Sequence, residues 1–260
     1  MAKFDTGTGF IHYEIIEKPG AAQPTLTLLH NFMSTGRAAW GPMLDDLSER
    51  FRILLPDLPG HGQSIGHPAG FRHDDLAEQT AAFMTACGAD AGHIAGCSSG
   101  GMITQLLVQR GLIRPASVTL VSTTYTTDPR KLFDSEAAFT TENFRAGAGW
   151  MEATARLHDP YHYDGYYEES LLAAFRKFGP EETIDLPLAS YATWSMPVCI
   201  IHGERDEFFP VSVPRRLAAA LPDAQLHIVP RQTHALIFRR PQEVERLMLN
   251  FYDKLSEERS

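Results

Sequence analysis

A serine near the centre of this 260-residue chain has the surroundings of a catalytic nucleophile. Residues 96–100 read Gly-Cys-Ser-Ser-Gly and match G-x-S-x-G, a pattern in which a serine occupies a tight turn between a strand and a helix, with its hydroxyl exposed. Cys97, Ser98 and Ser99 are therefore all candidates. Only Ser98 has glycine two positions before it and two positions after it, where the strand and the helix come too close for a side chain. We predict that Ser98 is the nucleophile and that Cys97 is a small apolar residue of the core.

A serine hydroxyl is a weak nucleophile, so this hypothesis also requires a histidine base and a carboxylate that orients the histidine. Where such a turn occurs, the acid and then the histidine follow the serine, each in a loop after a later strand. Residues 198–203 have the composition of a buried strand, and Asp206 comes just after them. Residues 225–229 are the next predicted strand, and the loop after it leads directly to His234. Among the 11 histidines of the chain we therefore predict His234 as the base, with Asp206 as the acid.

The arrangement of these residues resembles that of the α/β-hydrolase superfamily, and the similarity extends through most of the chain. Besides residues 96–101, Asp206 and His234, residues 28–32 (Leu-Leu-His-Asn-Phe) are similar to the H-G-x oxyanion loop of that family. Residues 57–64 are close to its D-x-x-G-x-G-x-S turn. The aspartate that opens this turn precedes the serine, so we interpret it as a turn residue and not as the acid.

The family usually has glycine after the oxyanion-loop histidine, whereas this chain has Asn31. Asparagine accepts a positive φ more readily than other non-glycine residues, so we expect the loop to keep its shape. The resemblance implies that the backbone N–H groups of Phe32 and Ser99 stabilise the oxyanion.

The resemblance also implies a two-step acyl transfer that needs no metal and no cofactor. Ser98 would attack the carbonyl of a carboxylic ester or thioester, and water would then release the acyl group, as in small serine carboxylesterases (EC 3.1.1). The same scaffold supports other chemistry, namely C–C bond hydrolysis, elimination as in the lyases of menaquinone synthesis, and cofactor-free haloperoxidation. A small-molecule receptor is a further alternative, although the loss of a triad residue would have favoured it and none is lost.

The elements that must position these residues follow from alternating strand and helix signals, which predict an α/β fold with a mostly parallel central sheet and helices on both faces. Strands are expected at residues 10–15, 25–29, 52–55, 93–95, 117–121, 198–203 and 225–229. From about residue 123 to residue 194 the strand signals stop, and this stretch is too long for an ordinary connection. We interpret residues 123–194 as a helical cap, inserted into an α/β-hydrolase core formed by residues 1–122 and 195–260.

The predicted cap is rich in aromatic residues, and its position above the nucleophile makes some of them candidates for the substrate pocket. Phe139 and Trp150 belong to its apolar side, and Met33 follows the oxyanion loop closely enough to touch substrate. Most aromatic residues of such a segment pack it against the core, and the remainder would line an apolar acyl or alcohol pocket. We predict small, largely apolar substrates. Two histidines and two aspartates in residues 158–164 could suggest a metal site, but the proline and glycine beside them favour an exposed polar turn.

The composition argues against several other classes of protein. A net charge of -9 and a pI of about 5.6 argue against nucleic-acid binding, which needs clustered Lys and Arg. The three cysteines form neither a disulfide framework nor a C-x-x-C metal site. The N-terminal region has no apolar run, and the chain has no stretch of about 18 apolar residues, so neither export nor membrane spanning is predicted. We expect a cytoplasmic enzyme, a monomer or small homo-oligomer, whose partner is a small ester-like molecule.

Overall fold

The protein is described from a computed structural model that covers residues 2–20, 22–67, 70–133, 141–142 and 144–257. Within these residues, eight strands form one sheet. The strands are β1 (Ala2–Asp5), β2 (Phe10–Ile16), β3 (Thr25–Leu29), β4 (Arg52–Pro56), β5 (His93–Cys97), β6 (Ser117–Val121), β7 (Val198–Gly203) and β8 (Ala224–Val229). Their order across the sheet is β1-β2-β4-β3-β5-β6-β7-β8.

The sheet is parallel except at one edge. β2 runs antiparallel to both of its neighbours, β1 and β4, and the remaining neighbouring strands are parallel. This confirms the predicted mostly parallel sheet. The sequence does not predict β1, because its four residues at the sheet edge alternate only between half-buried and exposed positions and carry little apolar signal. The register places Gly96 opposite Leu29 and Cys97 opposite Val121, so β3, β5 and β6 end at the same edge of the sheet.

Helices cover both faces of the sheet, as predicted. They are α1 (Gly36–Trp40), α2 (Leu44–Ser48), α3 (His73–Ala86), α4 (Ser99–Gln109), α5 (Pro129–Leu132), α6 (Ala148–His158), α7 (Ala173–Phe175), α8 (Ser212–Ala220), α9 (Leu236–Arg239) and α10 (Pro241–Glu257). Alternate strand residues point to opposite faces, so Leu54 joins one apolar cluster with Phe83 of α3, and Leu55 joins another with Phe251 of α10. Across the part of the chain that the structure describes, no helix has both the length and the apolar character needed to cross a bilayer.

The chain between β6 and β7 is mostly helical where the structure describes it. In addition to α5, α6 and α7, it contains short 3₁₀-helices at Asp159–Tyr161 and Leu188–Thr193 and a π-helix at Tyr167–Leu172. An isolated antiparallel bridge between Thr126 and Asp185 joins the two ends of this stretch. We call residues 123–194 the cap segment.

Side chains of the cap segment bond to the main chain of two core loops. The contacts join His158 Nε2 to Ser34 O at 3.3 Å, His162 Nε2 to Gly62 O at 3.1 Å, and the Tyr166 hydroxyl to Gly60 O at 2.7 Å. The prediction of an exposed polar turn is wrong for His158, whose exposed fraction is 0%. Proline and glycine indicate where the chain turns, but they carry no information about what packs over the turn.

Candidate active site

The turn between β5 and α4 holds Ser98 in an uncommon backbone conformation. Its φ is 50° and its ψ is -114°, a region that few non-glycine residues occupy and that is enriched at functional turns. A Cβ atom on Gly96 would lie 2.4 Å from Gly100 O, and one on Gly100 would lie 2.4 Å from Leu29 O. Both distances are far shorter than a van der Waals contact, so the glycine spacing that distinguishes Ser98 has a direct steric cause.

Ser98, His234 and Asp206 form a chain of hydrogen bonds. Ser98 Oγ lies 3.0 Å from His234 Nε2, and His234 Nδ1 lies 2.9 Å from Asp206 Oδ2. Asp206 follows β7 and His234 follows β8, so two adjacent strands bring both groups to the edge of the sheet where Ser98 lies. With its Nδ1–H donated to the carboxylate, the ring leaves Nε2 as the atom that can accept the serine proton.

The carboxylate of Asp206 is held on both of its oxygens. Oδ1 accepts hydrogen bonds from the backbone N–H groups of Phe208 and Phe209, each at 2.9 Å. His202 Nε2 lies 2.8 Å from Phe209 O and 3.5 Å from Asp206 Oδ2. The sequence reasoning assigned no role to His202. Its position near the end of β7, shortly before the predicted acid, is the signal that could have found it.

The charges in this row of hydrogen-bonded groups shift the pKa values of His234 and Asp206. Burial lowers the pKa of His234, but the Asp206 carboxylate, its hydrogen bond and the nearby Glu207 carboxylate together raise it more, so the pKa lies above its ordinary value. Burial raises the pKa of Asp206, whereas the charge and hydrogen bond of His234, with His202 and a backbone N–H, lower it more, so this pKa lies below its ordinary value. Asp206 is therefore ionised near neutral pH, the state in which it can orient and stabilise the histidine.

Glu207 offers a test of this electrostatic arrangement. Its Oε2 accepts the backbone N–H of His234 at 2.9 Å, and the residue lines the same cavity as Ser98. Glu207→Gln removes the negative charge while an amide oxygen can still accept that N–H, so the pKa of His234 should fall. A base must be unprotonated, and activity is lost as the pH falls through its pKa. We therefore expect the acid limb of the kcat/KM profile to move to lower pH in Glu207→Gln.

The matched control for this prediction is Glu204→Gln, in the same loop. The Glu204 carboxylate accepts the N–H of Arg231 at 2.8 Å and is not among the charges that raise the pKa of His234. Its removal should leave the acid limb where it is in the wild-type enzyme. Profiles that coincide for wild type and Glu207→Gln would contradict the assigned effect of Glu207.

The loop after β3 provides a second part of the site. Leu58 N–H donates to His30 Nε2 at 2.8 Å, and His30 Nδ1 donates to Asn31 O at 2.8 Å, which fixes this loop against the turn after β4. Among the described residues, the backbone N–H groups of Phe32 and Ser99 have no hydrogen-bond acceptor, and both residues are almost fully buried. Two unpaired N–H donors beside Ser98 suit an anionic oxygen.

Asn31 does not use the positive φ that asparagine can accept. The left-handed residue of this loop is Met33, with a φ of 62°, two positions further on. Asn31 Nδ2 donates to Phe32 O at 3.1 Å, a local bond between a side chain and the main chain that requires no left-handed backbone. Asparagine can therefore replace the family's usual glycine at position 31 without a left-handed backbone.

A buried histidine that the sequence reasoning did not single out contacts Ser99. His73 is the first residue of α3, and its Nε2 meets Ser99 Oγ while its Nδ1 lies 3.1 Å from Glu182 O of the cap segment. Burial lowers the pKa of His73 to about 4, so near neutral pH its uncharged ring accepts the serine hydroxyl. No spacing pattern links these positions, because the contact depends on how α3 and the cap segment pack beside α4.

A cavity of about 860 Å³ brings most of the predicted site residues together. Its lining includes Phe32, Met33, Ser98, Ser99, Trp150 and His234. Met33 is buried, whereas Trp150 is 40% exposed, and its ring centroid lies 6.1 Å from that of Phe238. Phe139, the other predicted pocket residue, lies outside the described residues.

Solved structures share the fold described above. A meta-cleavage product hydrolase (CumD) from Pseudomonas fluorescens superposes with a TM-score of 0.76 at 19% identity, covering 95% of this chain and 95% of that chain. The carboxylesterase CesB from Bacillus subtilis gives a TM-score of 0.72 at 20% identity, covering 96% of this chain and 90% of that chain. At these identities the likeness concerns the fold alone.

Sequence comparisons extend over nearly the whole chain. A presumed carbamate hydrolase, RutD, from a Caulobacter species is 26% identical over 262 aligned residues, covering 93% of this chain and 95% of that protein. The pimeloyl-acyl-carrier-protein methyl ester esterase of Chromobacterium violaceum is 27% identical and covers 86% of this chain and 92% of its own length. The sequence model described as the alpha/beta hydrolase family matches residues 28–247. With that match over most of its length, the chain belongs to the α/β-hydrolase family.

Proposed function

We propose that the protein is a serine hydrolase that cleaves carboxylic ester or thioester bonds of small, largely apolar molecules. The observation that carries this proposal is the hydrogen-bonded chain from Ser98 Oγ through His234 to Asp206, with distances of 3.0 Å and 2.9 Å. A nucleophile, a base and an orienting carboxylate in this order are what acyl transfer requires. We assign those three roles to these residues.

The proposed reaction proceeds in two steps. Ser98 Oγ attacks the carbonyl carbon as His234 Nε2 takes its proton, and the oxyanion accepts hydrogen bonds from the N–H groups of Phe32 and Ser99. His234 then protonates the leaving alcohol or thiol, leaving an acyl-enzyme. Water attacks the acyl-enzyme with the same base, and the acid product leaves as Ser98 regains its proton. Every group that this scheme uses belongs to the chain, and no cofactor takes part in it.

The surroundings of the serine support an apolar substrate. Met102, Leu132 and Ile237 line the cavity together with several aromatic residues. The relatives reported above are named for hydrolysis of a carbamate and of a methyl ester, both of which are reactions at a carbonyl group. We propose that the cap segment forms one wall of this pocket and that the core carries the chemistry. The cytoplasmic location and the oligomeric state stay predictions.

Covalent labelling tests the proposal directly. We expect a fluorophosphonate probe to modify the purified enzyme once, on Ser98, as located by peptide mass spectrometry. The same preparation should hydrolyse p-nitrophenyl esters of C2 to C10 acids. A parallel series with a matched thioester and a matched carbamate shows which carbonyl derivative is preferred. An enzyme that is not labelled and turns over none of these compounds would contradict the proposed function.

Trp150→Ala tests the part of the proposal that concerns the cap segment. Removing a half-exposed ring from the cavity wall should enlarge the pocket and leave the Ser98 chemistry unchanged. Because a hydrophobic pocket discriminates by about 1 to 3 kcal/mol per methylene, ratios of kcat/KM between long and short acyl chains should change by roughly 10- to 200-fold. Kinetics on C2 to C10 esters measure this change, with fluorophosphonate labelling as the control for an intact site. An unchanged chain-length profile would place specificity in the core, near Phe32 and Met33.

A further inference from the structure

A connected set of phenylalanine rings lines the cavity beside Ser98. We call its members, which all line the cavity, the aromatic belt: Phe32, Phe144, Phe175, Phe178 and Phe208. The ring centroids of Phe32 and Phe178 are 4.6 Å apart, those of Phe144 and Phe175 are 5.0 Å apart, and those of Phe175 and Phe208 are 6.3 Å apart. Each of these three pairs is inclined by 65°, close to the edge-to-face arrangement that aromatic rings prefer.

The two ends of the belt lie at groups that we assign to the reaction. Phe32 carries one of the N–H groups that we assign to the oxyanion, and the Phe208 ring centroid lies 4.6 Å from that of His234, the proposed base. Phe144, Phe175 and Phe178 all belong to the cap segment and lie between these ends. A substituent joined to the carbonyl by a few bonds therefore meets a ring of the belt.

Burial alone gives the cavity no preference for an aryl over an alkyl substituent, because burying either one removes apolar surface from water. The rings of the belt add a preference that depends on shape and on the aromatic quadrupole, since an incoming ring can join an edge-to-face or offset stack and a saturated ring cannot. Four of the five belt residues are only partly buried by the protein, which leaves ring surface for a ligand.

We propose that the substrate of this enzyme carries an aryl group within a few bonds of the scissile carbonyl, and that the aromatic belt binds that group. This inference rests on the proposed function for the identity of the bond that is cleaved. The preference of the cavity for an aryl ligand can be measured separately.

Two matched pairs of substrates test the proposal, and the two members of each pair differ in a single ring. Vinyl 3-phenylpropanoate and vinyl 3-cyclohexylpropanoate differ only in the acyl ring, and benzyl acetate and cyclohexylmethyl acetate differ only in the alcohol ring. We expect kcat/KM to favour the aryl member by roughly 3- to 10-fold in at least one pair, in line with the strength of aromatic pairing. The pair that shows the preference identifies the side of the bond that faces the belt.

Variants of the belt connect this preference to its residues. Phe175→Leu and Phe208→Leu keep apolar bulk but remove a ring, so the ratio of aryl to cyclohexyl turnover should fall towards one in each. Phe175→Tyr keeps the ring and should retain the ratio. Phe10→Leu is the matched control, because Phe10 lies on β2, does not line the cavity and is 42% exposed. The ratio, and not the absolute rate, is the readout, since Phe208 also touches the proposed base.

A non-hydrolysable pair separates failure of this inference from failure of the proposed function. The ketones 4-phenylbutan-2-one and 4-cyclohexylbutan-2-one lack a leaving group, and calorimetry on Ser98→Ala gives their Kd values without any turnover. Tighter binding of the phenyl ketone, lost in Phe175→Leu, supports the aryl site even if no ester is hydrolysed. Ratios near one for both ester pairs in the wild-type enzyme and for the ketones in Ser98→Ala would overturn it, as would an aryl preference that persists in both leucine variants.

Discussion

Ser98→Ala should lower kcat by a factor of about 10⁴ or more, because it removes the atom that forms the acyl-enzyme. Water must then attack the substrate directly, assisted only by the remaining groups of the site. The substitution keeps the Cβ atom, so alanine can keep the backbone conformation of this turn, in which φ is 50°. Steady-state kinetics on a p-nitrophenyl ester measure the loss, and circular dichroism checks that the variant is folded.

The neighbours of Ser98 provide the controls for this prediction. Ser99→Ala retains the backbone N–H that we assign to the oxyanion and should keep most of the activity, although it removes the hydroxyl that His73 accepts. Cys97 is 2% exposed, and burial raises the pKa of its thiol, so it remains protonated and unreactive. An inhibitor adduct on Ser99 or on Cys97 would mean that the nucleophile has been assigned to the wrong residue.

Asp206→Asn should lower kcat/KM by about 10⁴, an effect comparable to that of His234→Ala. The reason lies in the contacts of the carboxylate. Two backbone N–H groups, from Phe208 and Phe209, hold one of its oxygens. In the amide variant the remaining oxygen must stay on those donors, so the new NH₂ group faces His234 Nδ1. That nitrogen must then accept, the proton moves to Nε2, and the ring can no longer take a proton from Ser98.

A second variant and thermal unfolding distinguish this explanation from a general loss of structure. Glu204→Gln changes a carboxylate in the same loop and should remain close to wild type in kcat/KM. Thermal unfolding of both variants shows whether the loop stays folded. Near-normal turnover in Asp206→Asn, together with loss of turnover in Glu204→Gln or Asp57→Asn, would require that the acid be reassigned. The carboxylate of Asp57 accepts the N–H groups of Gly36 and Gln63, which is the turn role expected for it.

The positions that can be read from the sequence are those whose neighbours obey a steric rule or a fixed order along the chain. Glycine at positions 96 and 100 reflects main-chain contacts that forbid a Cβ atom, and this rule is readable without any coordinates. Asp206 and His234 follow neighbouring parallel strands, so their arrival at one edge follows from the topology. The bounds of the seven predicted strands agree with those of β2 to β8 to within about two residues, because short runs that contain apolar residues are bounded there by turn signals.

The residues that escaped prediction are those whose roles depend on packing between distant elements. His73 reaches Ser99 only because α3 lies beside α4, and His202 supports Asp206 only once the loop after β7 has folded back over the strand end. The buried state of His158 depends on the cap segment closing against a core loop. In each case the side chain is polar, and tertiary contacts that the local sequence does not show decide its role.

The hydrogen bonds between the cap segment and the core loops affect which residues of this protein can change in evolution. His158, His162 and Tyr166 all bond to carbonyl oxygens of the main chain. A carbonyl oxygen survives every substitution of the residue that bears it, so mutations in the core loops do not erase the acceptors, provided that the loop path is kept. On the cap side, these three contacts depend on the side chains themselves. Duplicated copies of the gene can therefore exchange cap residues that make no such contact, and with them the pocket wall, while the catalytic loops are inherited unchanged.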